Sequence, residues 1–303
     1  MTWDPLQLPK QHGQTFVVTG GNAGIGYFAA EQLARAGGNV IIAARNPDKG
    51  RLAREAIRSQ VPDASMGFLR FDLTSLTSMR AAATELAALP RLDGVILNAG
   101  VTTAPGKGET TEDGFPPLIA SYLGNFAFTA LLLNEAAPGR IIFTSSNYVK
   151  RRVDVTDLSA APRGTMAEYA RSKTATEVFG FELDRRLRAA GQPTASIMSR
   201  PGMAVDSRTP TRPGIPRTNR WREPLWGFAG QSKQTAAWPA VRAATDPDAE
   251  SGDFYAPAHG TSGPPALVKP LARFATPDDD LATRLWTQSE ELTAIQLELT
   301  PRP

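Results

Sequence analysis

The 303-residue sequence contains no cysteine, which removes disulfides, thiolate nucleophiles and cysteine-bound zinc from consideration. It has only two histidines, His12 and His259, and neither stands among other metal ligands. A histidine-rich metal site is therefore not expected, and no metal is assigned. No run of about 18 apolar residues occurs, so no membrane span is expected. The opening stretch MTWDPLQLPKQHGQ lacks the apolar core of a leader peptide, and the expectation is a soluble, cytoplasmic protein. Charge of one sign is also scarce: the formal net charge is +3 at pH 7, although the sequence pI is about 9.3. Without a concentrated basic face on a known recognition module, nucleic acid is not an expected partner. Hydrophobic residues are not scarce. At 41% of the chain they suffice for a substantial core.

The first two thirds alternate short apolar runs with stretches of helical character. TFVVTG (15–20), NVIIAAR (39–45), GFLRFDL (67–73), DGVILNAG (93–100), GRIIFTSS (139–146) and TASIMSRPG (194–202) read as strands, with GDFYAP (252–257) as a seventh. Helices are expected through GYFAAEQLARAG, over 47–60, 75–88 and 116–135, and around 167–178. Strands alternating with helices imply α/β architecture with a parallel, doubly wound sheet of about seven strands and helices on both faces. Ligands of such sheets bind beyond the carboxyl ends of the strands. One domain spanning 1–303 is expected, with a core over about 13–260 and an extension over 261–303. In that last third, KQTAAWPAVRAAT (233–245) could form a helix interrupted by proline. PDDDLATRLWTQSEELTAIQ reads as an amphipathic helix with acids in its first turn, where the helix dipole favours them.

TGGNAGIG (19–26) lies between the first strand and the first helix. Gly20, Gly24 and Gly26 allow a tight turn and a close approach of backbone N–H groups to a pyrophosphate at the helix N-terminus. Asn22 and Ile25 belong to the same turn. Arg45 follows 19 residues after Gly26, at the end of the second strand. An acidic residue there would bind the ribose 2′-hydroxyl of NAD, whereas arginine suits the 2′-phosphate of NADP. NADP(H) is thus expected over NAD(H).

AEYARSKTATEV (167–178) places Tyr169 and Lys173 four apart, on one face of a helix. A phenol titrates near 10 and a lysine near 10.4, so neither is suited to proton transfer at neutral pH unless its surroundings change it. The pair alone is compatible with a surface helix. An ammonium that lowers the phenol's pKa would make Tyr169 an acid or base.

TGGNAGIG, FDL, NAG, FTSS, YARSK and RPG occur in the order found in short-chain dehydrogenases/reductases, and residues 13–260 resemble that family. AARNPDKG and LGNFAFTALLL are similar to its retinol-dehydrogenase-like branch. The resemblance implies a Rossmann-type fold and an NADP(H)-dependent oxidoreductase that moves hydride between nicotinamide and a ketone, aldehyde or alcohol, a ketoreductase in the leading reading. It implies that Ser146 polarises the carbonyl, that Tyr169 is the acid/base, and that Lys173 holds the nicotinamide ribose and lowers the tyrosine pKa. It further implies that Asp72 and Leu73 flank the adenine, that Asn98 and Gly100 lie beside the cofactor, and that Pro201 and Gly202 border the nicotinamide. Relatives are often dimers or tetramers, so a homo-oligomer is a possible partner state that the C-terminal extension could modify.

The sequence departs from the family pattern in places. Where relatives carry a relay asparagine, this chain has Ser121, with Asn125 one turn later. After Pro201–Gly202 the usual pattern reads MAVDS, and the interval from Ser146 to Tyr169 is longer than in many members. A cofactor-binding sensor or scaffold with the same fold is the alternative reading. Substrate choice is expected from residues 147–168 and from a loop over about 203–230. Between Ser207 and Arg222 that loop carries Arg208, Arg212, Arg217, Arg220 and Arg222 and no acid. It reads either as a solvated basic loop or as a lid, with Trp221 and Trp226, that clamps an anionic substrate.

Overall fold

The computed structural model describes residues 3–4, 7–100, 110–115, 117–150, 153–159, 164–217, 230–275 and 279–299. In chain order the strands are β1 (Thr15–Thr19), β2 (Asn39–Ala44), β3 (Met66–Arg70), β4 (Gly94–Leu97), β5 (Arg140–Thr144), β6 (Ala195–Ser199), β7 (Ala204–Val205), β8 (Gln231–Ser232), β9 (Phe254–Pro257) and β10 (Pro265–Leu267). The helices are α1 (Gly24–Arg35), α2 (Pro47–Gln60), α3 (Leu76–Ala87), α4 (Pro117–Glu135), α5 (Thr165–Ala189), α6 (Lys233–Ala236), α7 (Trp238–Thr245), α8 (Ala272–Ala275) and α9 (Asp279–Thr293).

The main sheet runs β10-β9-β6-β5-β4-β1-β2-β3. Its pairings are parallel except that β10 lies antiparallel to β9. It therefore has eight strands rather than the expected seven. Pro265–Leu267 is too short and too proline-rich to announce itself as a strand, and only the edge offered by β9 recruits it. The central strands are continuous apolar runs because helices cover both faces. One face packs a core that includes Phe126, Phe143 and Phe179, the other a core that includes Phe16, Tyr27 and Phe28.

Local chemistry explains several boundaries. Asn46 caps α2 by accepting from Lys49 N at 2.9 Å, and Ser75 caps α3 by accepting from Ser78 N at 3.3 Å. The proline in 233–245 does divide that stretch: α6 ends at Ala236 and α7 begins at Trp238, with Pro239 in its first turn. The C-terminal extension is built into the core. Trp286 on α9 packs against Phe126 at 5.8 Å and Phe179 at 5.4 Å, between ring centroids, so α9 covers α4 and α5. Among the described residues no helix is long and apolar enough to cross a membrane.

The strand order reverses between β1 and β4, which are neighbours. Thr19 stitches the ends of these two strands. Its Oγ1 accepts from Asn98 N and Ala99 N, both at 3.0 Å, and Asn98 Nδ2 donates to Thr19 O at 3.1 Å. Such a switch point opens a crevice at the carboxyl edge of the sheet.

Candidate active site

A cavity of about 610 Å³ occupies that crevice. Gly20, Asn22, Gly24, Ile25, Arg45, Asp72, Leu73, Asn98 and Gly100 line it, whereas Gly26, Tyr169, Lys173, Pro201 and Gly202 do not. The structure adds Phe71 and Thr74 from the third strand's end, and Arg217 and Lys233 from beyond β6.

The glycine turn is shaped for close backbone approach. Gly20 and Gly24 have φ of 68° and 60°, in the left-handed region. A Cβ on Gly26 would stand 2.5 Å from Asn98 Nδ2 and 2.6 Å from Gly20 O, so only glycine lets α1 begin this close to the turn. Beside Gly24, by contrast, a Cβ would meet nothing within 4 Å. The residue before α1 is Ala23, which has no capping side chain, unlike Asn46 and Ser75. The first N–H groups of α1 are thus left for a ligand, and a helix N-terminus favours a phosphate. Exposed Arg45 lies at the same cavity, and the Asp72 carboxylate is held in place by Thr74 N at 2.9 Å and Thr74 Oγ1 at 2.7 Å. These residues fit a dinucleotide. Among the described residues no group of three or more metal-ligating side chains exists.

The second half of the site stands on the ends of β5 and β6 and on α5. Tyr169 and Lys173 occupy one face of α5. Lys173 is buried and its Nζ donates to Thr144 O at 2.7 Å. Tyr169 is half-buried, its phenol is influenced by the Ser146 side chain, and its ring meets the Tyr148 ring edge-on at 5.6 Å. Gly100 links the two halves. It lines the cavity, and a Cβ there would lie 3.7 Å from Lys173 Nζ and 3.9 Å from Ser121 Oγ. Ser121 and Lys173 thus both approach Gly100, and Asn125 Nδ2 donates to Ser121 O at 2.8 Å. Pro201 and Gly202 follow β6. Pro201 O accepts from Gln231 Nε2 at 2.8 Å, and Gly202 has φ of 72° with a would-be Cβ 2.4 Å from Thr261 O.

Burial pushes the Tyr169 phenol up from its ordinary value; the Ser146 side chain opposes this, and Tyr148 adds to it. Burial also pushes Lys173 down to about 8, with Glu177 opposing that fall.

The arginine segment also differs from a free clamp. Arg208 Nη1 donates to Gly230 O at 2.7 Å, Arg212 makes a two-point pair with buried Glu31 at 2.7 and 2.8 Å, and Arg217 Nη2 donates to Asp206 O at 2.9 Å and Thr209 O at 2.5 Å. Three of the five guanidinium groups are therefore tied to the protein. Arg220, Trp221, Arg222 and Trp226 lie outside the described residues.

Residues 14–197 match the short chain dehydrogenase family. The chain belongs to that family. It sits in the retinol-dehydrogenase-like branch: it is 34% identical over 301 residues to polyprenol dehydrogenase of Mus musculus, covering 95% of this chain and 86% of that protein. It is 33% identical over 308 residues to retinol dehydrogenase 13 of Homo sapiens, covering 94% and 86%. A crystal structure of an uncharacterised protein from Mycobacterium Paratuberculosis superposes with a TM-score of 0.79 at 29% identity, over 98% of this chain and 100% of that one. This short-chain dehydrogenase is therefore an oxidoreductase of a nicotinamide-binding family acting on CH–OH and C=O groups.

Sequence reasoning missed Glu177, Arg200, Tyr148 and Lys233. Glu177 carried a readable signal, since it continues the four-residue spacing of Tyr169 and Lys173. The others reach the site only through tertiary packing.

Proposed function

We propose that this short-chain dehydrogenase uses NADP(H) to interconvert a carbonyl compound and its alcohol. When bound, the nicotinamide supplies the hydride that reduces the carbonyl carbon. Ser146 hydrogen-bonds the carbonyl oxygen, and the Tyr169 hydroxyl delivers the proton to it. Lys173 orients the nicotinamide ribose, and Ser121 stands where it can pass a proton toward Lys173. The observation that carries this reading is the placement of Tyr169 and buried Lys173 one helical turn apart on α5, with the Ser146 side chain acting on the Tyr169 phenol.

Arg45 supports NADP(H) because its side chain is exposed at the cavity edge where a 2′-phosphate would sit. For the substrate, the names of two relatives point to long apolar alcohols and their aldehydes. The pinned Arg208, Arg212 and Arg217 point the same way, because an anionic substrate would need guanidinium groups not already spent on the protein. The experiment is oxidation of NADPH with a panel of apolar and carboxylated aldehydes and ketones, run beside NADPH binding by fluorescence. Turnover of the apolar members supports the proposal. Tight NADPH binding with no turnover of any member would instead favour a sensor or scaffold.

A further inference from the structure

Glu177 lies one turn beyond Lys173 on α5, so Tyr169, Lys173 and Glu177 form a ladder at four-residue intervals. Its side chain is 0% exposed. A carboxylate buried to that degree loses several kcal/mol of solvation, and apolar replacements of buried ion pairs are often no less stable. Stability alone therefore does not account for it.

The contacts of Glu177 lead to each element around the nicotinamide site. Its Oε1 accepts from Ser145 Oγ and, at 2.7 Å, from Arg200 Nη2. Ser145 stands between Thr144, which Lys173 holds, and Ser146, which meets Tyr169. Arg200 immediately precedes Pro201–Gly202, and its guanidinium lies over the Phe254 ring at 4.6 Å. One carboxylate thus ties α5 to the ends of both β5 and β6.

We propose that Glu177 is a positioning residue of the reaction: its carboxylate keeps Lys173 in the ammonium form and, through Ser145, fixes the strand end that presents Ser146. The inference rests on the catalytic assignment of Lys173 made above. Among the described residues, the charged groups that act on the pair are Arg200 after β6 and Arg273 on α8; nearby on neighbouring elements stand Tyr169 on α5, Tyr148 beside its ring, and Tyr122 on α4 against Phe179. Tyr122 is pushed up by burial and stays neutral. Glu168 and Arg171 on α5 pair with each other at 3.8 Å. Glu177 is the group that opposes the desolvation of Lys173; burial pushes its own carboxyl up, and Arg200, Ser145 and Arg273 oppose that rise.

The test is the pH dependence of kcat/KM with NADPH, together with the pH dependence of the NADPH dissociation constant, which needs no turnover. The wild type should lose both activity and tight binding as pH rises through about 8. In Glu177→Gln both alkaline limbs should move down by about one to three pH units, because an opposite charge at close range is removed. Glu177→Asp, which restores the charge, should bring the limbs back toward the wild-type position. The double variant Glu177→Leu/Arg200→Leu removes both charges of the buried pair and guards against a single variant that does not fold; because the positive charge of Arg200 is lost as well, its limbs should move down by less than those of Glu177→Gln. A folded Glu177→Gln whose limbs coincide with the wild type, or a folded double variant whose limbs do not move down at all, would overturn the inference while leaving the catalytic reading intact. A wild type that neither binds NADPH nor turns over a carbonyl would overturn that reading, and the inference with it.

Discussion

Lys173 Nζ donates to Thr144 O at 2.7 Å, which anchors the middle of α5 to the last residue of β5. The bond fixes where the face of α5 that carries Tyr169 stands relative to Ser146. It also uses a donor that would otherwise be unpaired in the core, since Lys173 is only 5% exposed.

Tyr169→Phe is expected to lower kcat by about 10²- to 10⁴-fold, the usual worth of general acid catalysis. NADPH should still bind, because the glycine turn and Arg45 are untouched. Steady-state kinetics beside fluorescence titration separate the two. Retention of more than about a tenth of wild-type activity would remove Tyr169 from the acid role.

Arg45→Asp should weaken NADPH binding by about 10- to 100-fold and favour NADH, because a charge-assisted contact to phosphate becomes a repulsion. Arg45 is exposed, so its preference should fade as salt rises. Dissociation constants for both cofactors at low and high ionic strength check this. Equal wild-type affinities would rule out the 2′-phosphate contact.

Gly26→Ala should cost about 1–3 kcal/mol of stability, as overpacking does, and should abolish tight cofactor binding. The added methyl would lie 2.5 Å from Asn98 Nδ2 and 2.6 Å from Gly20 O, and the second of these is backbone that cannot swing aside. Denaturant unfolding and NADPH titration measure the two effects. A Gly26→Ala protein with wild-type stability would mean that the turn relaxes freely.

Activity and stability should respond to alkali with opposite signs at Lys173. The folded-state pKa is pushed down to about 8 from the ordinary value of 10.5. Between those values the unfolded chain binds the proton and the folded chain does not, so this group's contribution to stability rises with pH there. Activity needs the ammonium and falls as pH rises through about 8. Thermal melts of the cofactor-free protein beside kcat/KM across this range should show activity lost before the fold. Coincident loss of both would assign the alkaline limb to unfolding instead.

The strands that build the sheet were legible because each is a short apolar run bounded by turn chemistry, a signal contained within a few residues. α2 was legible to its ends, since Asn46 and Pro47 announce its start. The glycine turn, Arg45, Ser146 and the Tyr169–Lys173 spacing were readable for the same reason: each motif is contiguous, and its strand–turn–helix context follows from local periodicity. Pro265–Leu267 was not, because a three-residue strand exists only when a sheet edge is there to pair with it.

What the sequence by itself determined is the order of elements, the fold class and the residue types at the ends of the strands. Tertiary structure alone decided the charge environment of those residues. Desolvation depends on how many distant groups exclude water from a site, so Tyr169 and Lys173 could be placed side by side from spacing, but the directions of their pKa shifts could not. The same holds for the arginines after β6. The carboxylate partner of Arg212, Glu31, lies on α1, 181 residues away, and only the folded chain brings the two together at 2.7 Å.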